Sequence, residues 1–170
     1  MIRAVHGELA DCDVEAVLRP VRTDWAALTS EVRRLELAAG EAWRERCSAQ
    51  GELPLGSAAI TDGGELAAEF VIHVAVASEE EGATERSVVV GLENGLRRAE
   101  EWEIRELALP LLGTGPGALD PESACRAMAP LLEAFEAEDR DRLVLVCSED
   151  PASVREAEAR WGARGAEEDG

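Results

Sequence analysis

The chain contains no lysine and no tyrosine, a single asparagine (Asn94) and only two histidines, His6 and His73. Its basic side chains are therefore 17 arginines, set against 36 carboxylates, for a formal net charge of −19. That balance argues against nonspecific nucleic-acid binding, which needs a basic footprint. Cysteine is sparse as well. Cys12, Cys47, Cys125 and Cys147 lack C-x-x-C spacing and any nearby histidine cluster, so zinc is not expected and no cofactor is implied. Reduced, buried thiols are the expectation, with a Cys147–His73 nucleophile pair as a minor alternative. No apolar run approaches the ~18 residues of a membrane span, and the start of the chain lacks a signal-peptide pattern. A soluble cytoplasmic protein without membrane association is expected. The length of 170 residues suits one domain with a substantial core.

What is present centres on Arg105–Ser123. The apolar run Leu107, Ala108, Leu109, Leu111, Leu112 is too short for a helix and reads as a buried strand. Gly113, Gly115 and Gly117 follow at every second position, and Asp120-Pro121-Glu122 supplies an N-cap, a first-turn proline and an acidic first turn. Strand, glycine loop and helix start together offer backbone N–H groups and a positive helix end to a phosphate. A tight turn with no ligand is the competing reading.

Along the chain, strands are predicted over Met1–Val5, Val14–Leu18, Ser57–Thr61, Phe70–Ala77, Leu107–Leu112 and Leu143–Cys147. Residues 20–29 read as a loop carrying Arg22, Asp24 and Trp25. Amphipathic spacing predicts helices over Ser30–Ala49, with a contact or break at Gly40, and over Thr84–Trp102. A further helix spans Asp120–Glu138, with Pro130 expected to kink or break it near Ala129, and a last one starts at Asp150-Pro151 and is capped by Gly162. Residues 163–170 hold no apolar anchor and are expected to be a disordered acidic tail after a domain spanning 1–162. Trp43 and Trp102 are expected to face the core, and Trp25 to be the most exposed tryptophan. His73, inside the strongest strand, is expected to be a satisfied core histidine. Strands alternating with helices imply an α/β class: a three-layer α/β/α sandwich around a mixed, mostly parallel sheet of about six strands. Ligands of such sheets bind beyond the carboxyl ends of the strands, where the Gly113–Gly117 loop falls.

The order of these segments resembles a macrodomain, the ADP-ribose-binding α/β/α module. The family's G-D-I-T segment corresponds to Gly7-Glu8-Leu9-Ala10, and its A-I-V-N-A-A-N strand to Ala16-Val17-Leu18-Arg19-Pro20-Val21-Arg22. Its P-T-G-E-A-V-I-T corresponds to Pro54 through Thr61, and its Y-V-I-H to Phe70-Val71-Ile72-His73. Its A-F-P-x-x-x-T-G-x-x-G corresponds to Ala108 through Gly117. The resemblance implies ADP-ribose or a related nucleotide as ligand. It places the site at Glu8 and Leu9, Arg19 and Arg22, Thr29, Ser30 and Val32, and the loop Leu112, Gly113, Thr114, Gly115, Pro116, Gly117, Ala118 and Leu119.

The departures fall where the family's chemistry lies. Glu8 stands for the acid that accepts from the adenine amino group, Arg19 and Arg22 replace the two asparagines, and Leu28-Thr29-Ser30-Glu31-Val32 replaces the first glycine loop. Side chains there should narrow the cleft, while Arg19 and Arg22, expected near the second loop, would offset diphosphate charge. The leading expectation is binding without the family's hydrolysis. One alternative is an ADP-ribosyl hydrolase or deacylase activating water through Glu8, Asp11, Asp24 or His73. Another is a protein-interaction or oligomerisation module anchored by an exposed Trp25.

Overall fold

The computed structural model describes residues 1–165. Six strands form one sheet: β1 (Ile2–His6), β2 (Ala16–Arg22), β3 (Ala58–Asp62), β4 (Phe70–Ala77), β5 (Glu106–Leu109) and β6 (Leu143–Ser148). They lie in the order β1-β6-β5-β2-β4-β3, all neighbours parallel except the antiparallel β3–β4 pair. The helices are α1 (Ser30–Ala39), α2 (Glu41–Ser48), α3 (Glu85–Glu101), α4 (Pro121–Glu138) and α5 (Pro151–Trp161), with one turn of 3-10 helix at Leu9–Asp11. Strand alternation divides the core. Leu18, Ile72, Val74, Leu107 and Val144 pack with Leu92 of α3 and Met128 and Leu132 of α4, whereas Val17, Val71, Ala108 and Leu145 pack with Leu35 of α1 and Trp43 of α2. The result is the expected three-layer α/β/α sandwich.

Several local expectations are corrected. β2 does not end at Arg19-Pro20 but runs to Arg22. β5 pairs with β2 only at Ala16 and Val17, so beyond them a proline can sit in the strand without breaking a ladder on that side. β5 itself ends at Leu109, one residue before Pro110, although Leu111 and Leu112 remain buried. The predicted Ser30–Ala49 helix is two helices joined at Gly40, whose φ of 101° is left-handed and where a Cβ would lie 2.2 Å from Glu65 Oε2. α4, in contrast, is continuous through Pro130. Met128, Ala129, Leu132 and Phe135 are buried around an exposed proline, and their packing outweighs one missing hydrogen bond.

Among the tryptophans the assignments reverse. Trp43 is buried as expected, but Trp25 is only 8% exposed and Trp102 is 52% exposed. The Trp25 ring packs 4.8 Å from the His73 ring and its indole N–H donates to Gly51 O, so it is not a surface anchor and loses its role as evidence for an interaction module. α3 ends at Glu101, leaving Trp102 as the cap residue with one face against Phe70. At the start of the expected tail, Ala163 bridges to Ala4 and the Arg164 N–H donates to Ala4 O, while residues 166–170 lie outside the described residues.

Candidate ligand-binding cleft

A cleft of about 760 Å³ opens at the carboxyl ends of the strands, between the start of α1 and the loop after β5. Thr29 and Ser30 form one wall, and Thr114, Gly115, Pro116, Ala118 and Leu119 the other. Thr29 caps α1, its Oγ1 accepting from the Val32 N–H. The Ser30 and Glu31 N–H groups belong to the first turn, where a helix offers no carbonyl partner, and no hydrogen bond to the described residues occupies them. On the facing loop, the Thr114 hydroxyl donates to Leu111 O and the Leu119 N–H to Gly113 O, closing a tight turn with Gly115 at its exposed crest. A Cβ on Gly115 would stand 3.6 Å from Thr29 Cγ2, so the two walls nearly touch there.

Two further helices begin at the same cleft. Asp120 caps α4 and Asp150 caps α5, each carboxylate accepting from an N–H three residues on, at Ser123 and Ser153. Those bonds hold both acids below the usual aspartate range, from the Ser123 N–H first at Asp120 and from the Ser153 hydroxyl first at Asp150. The starts of three helices therefore border one space. Glu31 lies on the wall with one carboxylate oxygen accepting from the Glu149 N–H at 2.7 Å and the other near the Ser148 hydroxyl at 3.2 Å. Burial raises its pKa above the ordinary glutamate value, against those two bonds. Arg33, exposed on α1, is the cation among the described lining residues.

The predicted site residues divide sharply. Thr29, Ser30, Thr114, Gly115, Pro116, Ala118 and Leu119 line the cleft. Leu9, Val32, Leu112 and Gly113 are buried behind it, and exposed Gly117 lies at the edge of the loop. Glu8 is paired instead with Arg34 Nε at 2.7 Å, and Arg34 reaches Glu149 as well, so the carboxylate is engaged by a cation rather than presented to a base.

Neither arginine is among the residues that line the cleft. Arg22 hydrogen-bonds Asp24 through Nε and Nη2, at 2.9 and 2.5 Å. Arg19 is 1% exposed, beneath α1, where its Nε donates to His73 Nδ1 at 2.8 Å and its Nη1 to Glu36 Oε1 at 2.5 Å. The Trp43 ring lies 5.0 Å from the guanidinium carbon. With Nδ1 accepting, His73 carries its proton on Nε2, which donates to Thr61 Oγ1 at 2.8 Å. Burial, and then the Arg19 charge, push the His73 pKa well down, so it is a neutral core histidine as expected.

These placements also remove candidate water-activating groups from the cleft. His73 has no accessible surface, and Asp24 is bound to Arg22 beside a separate surface depression. Asp11 sits exposed in the 3-10 turn and is not among the lining residues. The Cys147–His73 pair is likewise overturned: Cys147 Sγ donates to Gly7 O at 3.2 Å, while both His73 nitrogens are occupied by Arg19 and Thr61.

Sequence reasoning missed Glu31, Arg33, Asp150 and Ser153 on the walls. Two of them were signalled by the D-P-x-S pattern at Asp150–Ser153, which marks a second capped helix start like that at Asp120–Ser123.

Fold and cleft together define an open α/β module with a cleft beyond the strand ends, lined by helix starts and a glycine loop. The Macro domain family model matches residues 33–128, more than half of the chain. A macro domain-containing protein in the gbd 3' region of Cupriavidus necator is 30% identical over 158 residues, covering 88% of this chain and 91% of that protein. The chain belongs to the macro domain family. An uncharacterized protein of Aquifex aeolicus is 25% identical over 146 residues, covering 85% of this chain and 88% of its own. Among solved structures, the Oceanobacillus iheyensis macrodomain with ADP superposes with a TM-score of 0.81 at 17% identity, over 92% of this chain and 87% of that one. The Trypanosoma brucei macrodomain in complex with ADP-ribose gives 0.81 at 18% identity, over 93% and 68%.

Proposed function

We propose that the cleft binds ADP-ribose or a closely related nucleotide diphosphate and does not hydrolyse it by the family's route. The carrying observation is the pair of first-turn amides at Ser30 and Glu31, which have no hydrogen-bond partner among the described residues and lie across the cleft from the Thr114–Leu119 loop. Helix ends and backbone amides favour an anion even in an acidic protein, because the acids that share this wall are already engaged by helix caps or backbone N–H groups. Relatives of the same fold are described with ADP and with ADP-ribose bound, which supports the diphosphate as the recognised group. Binding without turnover is supported by the positions of Asp24 and His73, neither of which reaches the cleft.

Calorimetric titration with ADP-ribose, beside AMP and NAD, tests the binding. A saturable signal for ADP-ribose is expected, with AMP weaker. Gly115→Val should abolish it, because a branched side chain at φ 135° is strained and fills the gap toward Thr29. No binding at about 1 mM ADP-ribose, an affinity below roughly 4 kcal/mol, would refute the proposal. Release of free ADP-ribose from a mono-ADP-ribosylated protein would refute the second half alone.

A further inference from the structure

We propose that the Trp102–Phe70 corner docks a basic segment of a partner protein, one arginine of which lies over the Trp102 ring. Trp102 is the most exposed of the tryptophans and phenylalanines, and its ring centroid stands 5.2 Å from that of Phe70 at an interplanar angle of 58°. The indole N–H groups of Trp25, Trp43 and Trp161 donate to Gly51 O, Asp62 O and Glu133 Oε1. That of Trp102 has no acceptor among the described residues, so an apolar ring and a free donor are presented together. The backbone beneath is fixed: the Trp102, Glu103 and Ile104 N–H groups donate to Arg98 O, Glu100 O and Ala99 O, and Ile104 is buried. Glu103 takes a left-handed φ of 54°, the conformation glycine usually supplies after a helix, so an exposed carboxylate stands beside Trp102 at a backbone cost. Phe70 begins β4 and Glu106 begins β5, which places this corner at the amino ends of parallel strands, away from the cleft.

Charge identifies the occupant. Residues 100–106 carry four glutamates against one arginine. That arginine, Arg105, is paired with Asp139, and Arg98 on the preceding turn with Glu101. Glu69 beside Phe70, and Glu103 and Glu106 after Trp102, are exposed and have no cationic partner among the described residues. An aromatic face bordered by unmatched carboxylates complements a planar, weakly hydrated cation, which is the guanidinium group rather than a neutral apolar side chain. Basic neighbours on the same segment then meet the glutamates, and a segment carbonyl accepts from the Trp102 indole N–H. A second copy of this chain is a poor occupant, since each copy brings a formal charge of −19.

The test is a titration of the full chain with the peptide acetyl-Gly-Arg-Gly-Arg-Gly-Arg-Gly-amide, read by the indole N–H resonances in two-dimensional NMR and by anisotropy of the labelled peptide. The Trp102 resonance, identified by its loss in Trp102→Leu, should move saturably while the other three stay in place. Trp102→Leu should weaken binding about three- to fivefold, the range of an exposed cation–π contact, with its three remaining indole resonances unmoved as proof of an intact fold. Glu69→Gln/Glu103→Gln, which leaves the ring in place, should weaken binding and flatten its salt dependence. Equal affinity in Trp102→Leu would show a diffuse response to net charge and overturn the proposal. So would an equal shift with the peptide carrying glutamine for arginine, or no shift at about 1 mM peptide, an affinity below roughly 4 kcal/mol. A Trp102 shift that follows protein concentration without peptide would assign the corner to a second copy and overturn it as well.

Discussion

Replacing Arg19 by methionine should destabilise the protein by about 3–5 kcal/mol, the usual cost of removing one partner from a buried ion pair. The guanidinium contacts Glu36, His73 Nδ1 and, at 3.5 Å, Trp25 O, so three acceptors lose their donor at once. Glu36 retains 19% of its side-chain exposure, and water entering there offsets part of the loss, which places the value toward the lower end of that range. Methionine preserves most of the stem packing against Trp43 and so keeps a cavity term small. Guanidinium unfolding followed by far-UV circular dichroism measures the change through the midpoint at constant slope. In Arg19→Met/Glu36→Met the orphaned carboxylate is gone, and part of the stability should return. A loss under about 1 kcal/mol in the single variant, or a double variant less stable than the single, would show that the pair is not the buried electrostatic unit described.

Arg22→Ala should leave ADP-ribose affinity unchanged, because Arg22 is spent on Asp24, whereas Arg33→Ala should weaken it about fivefold and flatten its salt dependence, both read by calorimetry. Trp43→Ala should cost about 3–5 kcal/mol in the same unfolding assay, since Trp43 is 2% exposed and its indole N–H donates to Asp62 O. Glu31 gives a pH signature. Its folded pKa is raised by burial, so the native state holds its proton more tightly than the unfolded chain, and the destabilisation it brings sets in as pH rises from the unfolded value through the raised one. The stability of Glu31→Gln relative to the native protein should therefore improve across that interval; a flat difference between pH 4 and 7 would contradict the assignment.

The arrangement of layers was legible because long apolar periods leave few alternatives. Phe70–Ala77 was recognised as β4 to the residue, and Asp150-Pro151 as the start of α5. The two arginines were misplaced for a definite reason. Arg-Pro reads as the end of a strand, and a strand end in this fold class points at the ligand. Only the shortness of β5, a tertiary fact, lets β2 continue past Pro20 and turn Arg19 under α1. Trp25 failed in the same way. Its burial depends on a left-handed φ of 70° and on the carbonyl of Gly51, a residue 26 positions away. The glycine loop was found because its signal is local, whereas the contribution of α5 to the cleft required knowing that β6 lies beside β5.

The outer side of β1 is not left open. The Ala4 N–H donates to Gly162 O and the Arg164 N–H to Ala4 O, so the three residues after α5 lie along the free margin of the sheet. An unpaired margin of backbone donors and acceptors is a template on which another chain can grow, and here two of its groups are already spoken for. The opposite margin, β3, is five residues long and ends in Asp62, a charge unsuited to intermolecular stacking. This segment thus acts as a selvedge, and its loss would show itself in self-association under concentrated conditions before any change in the cleft.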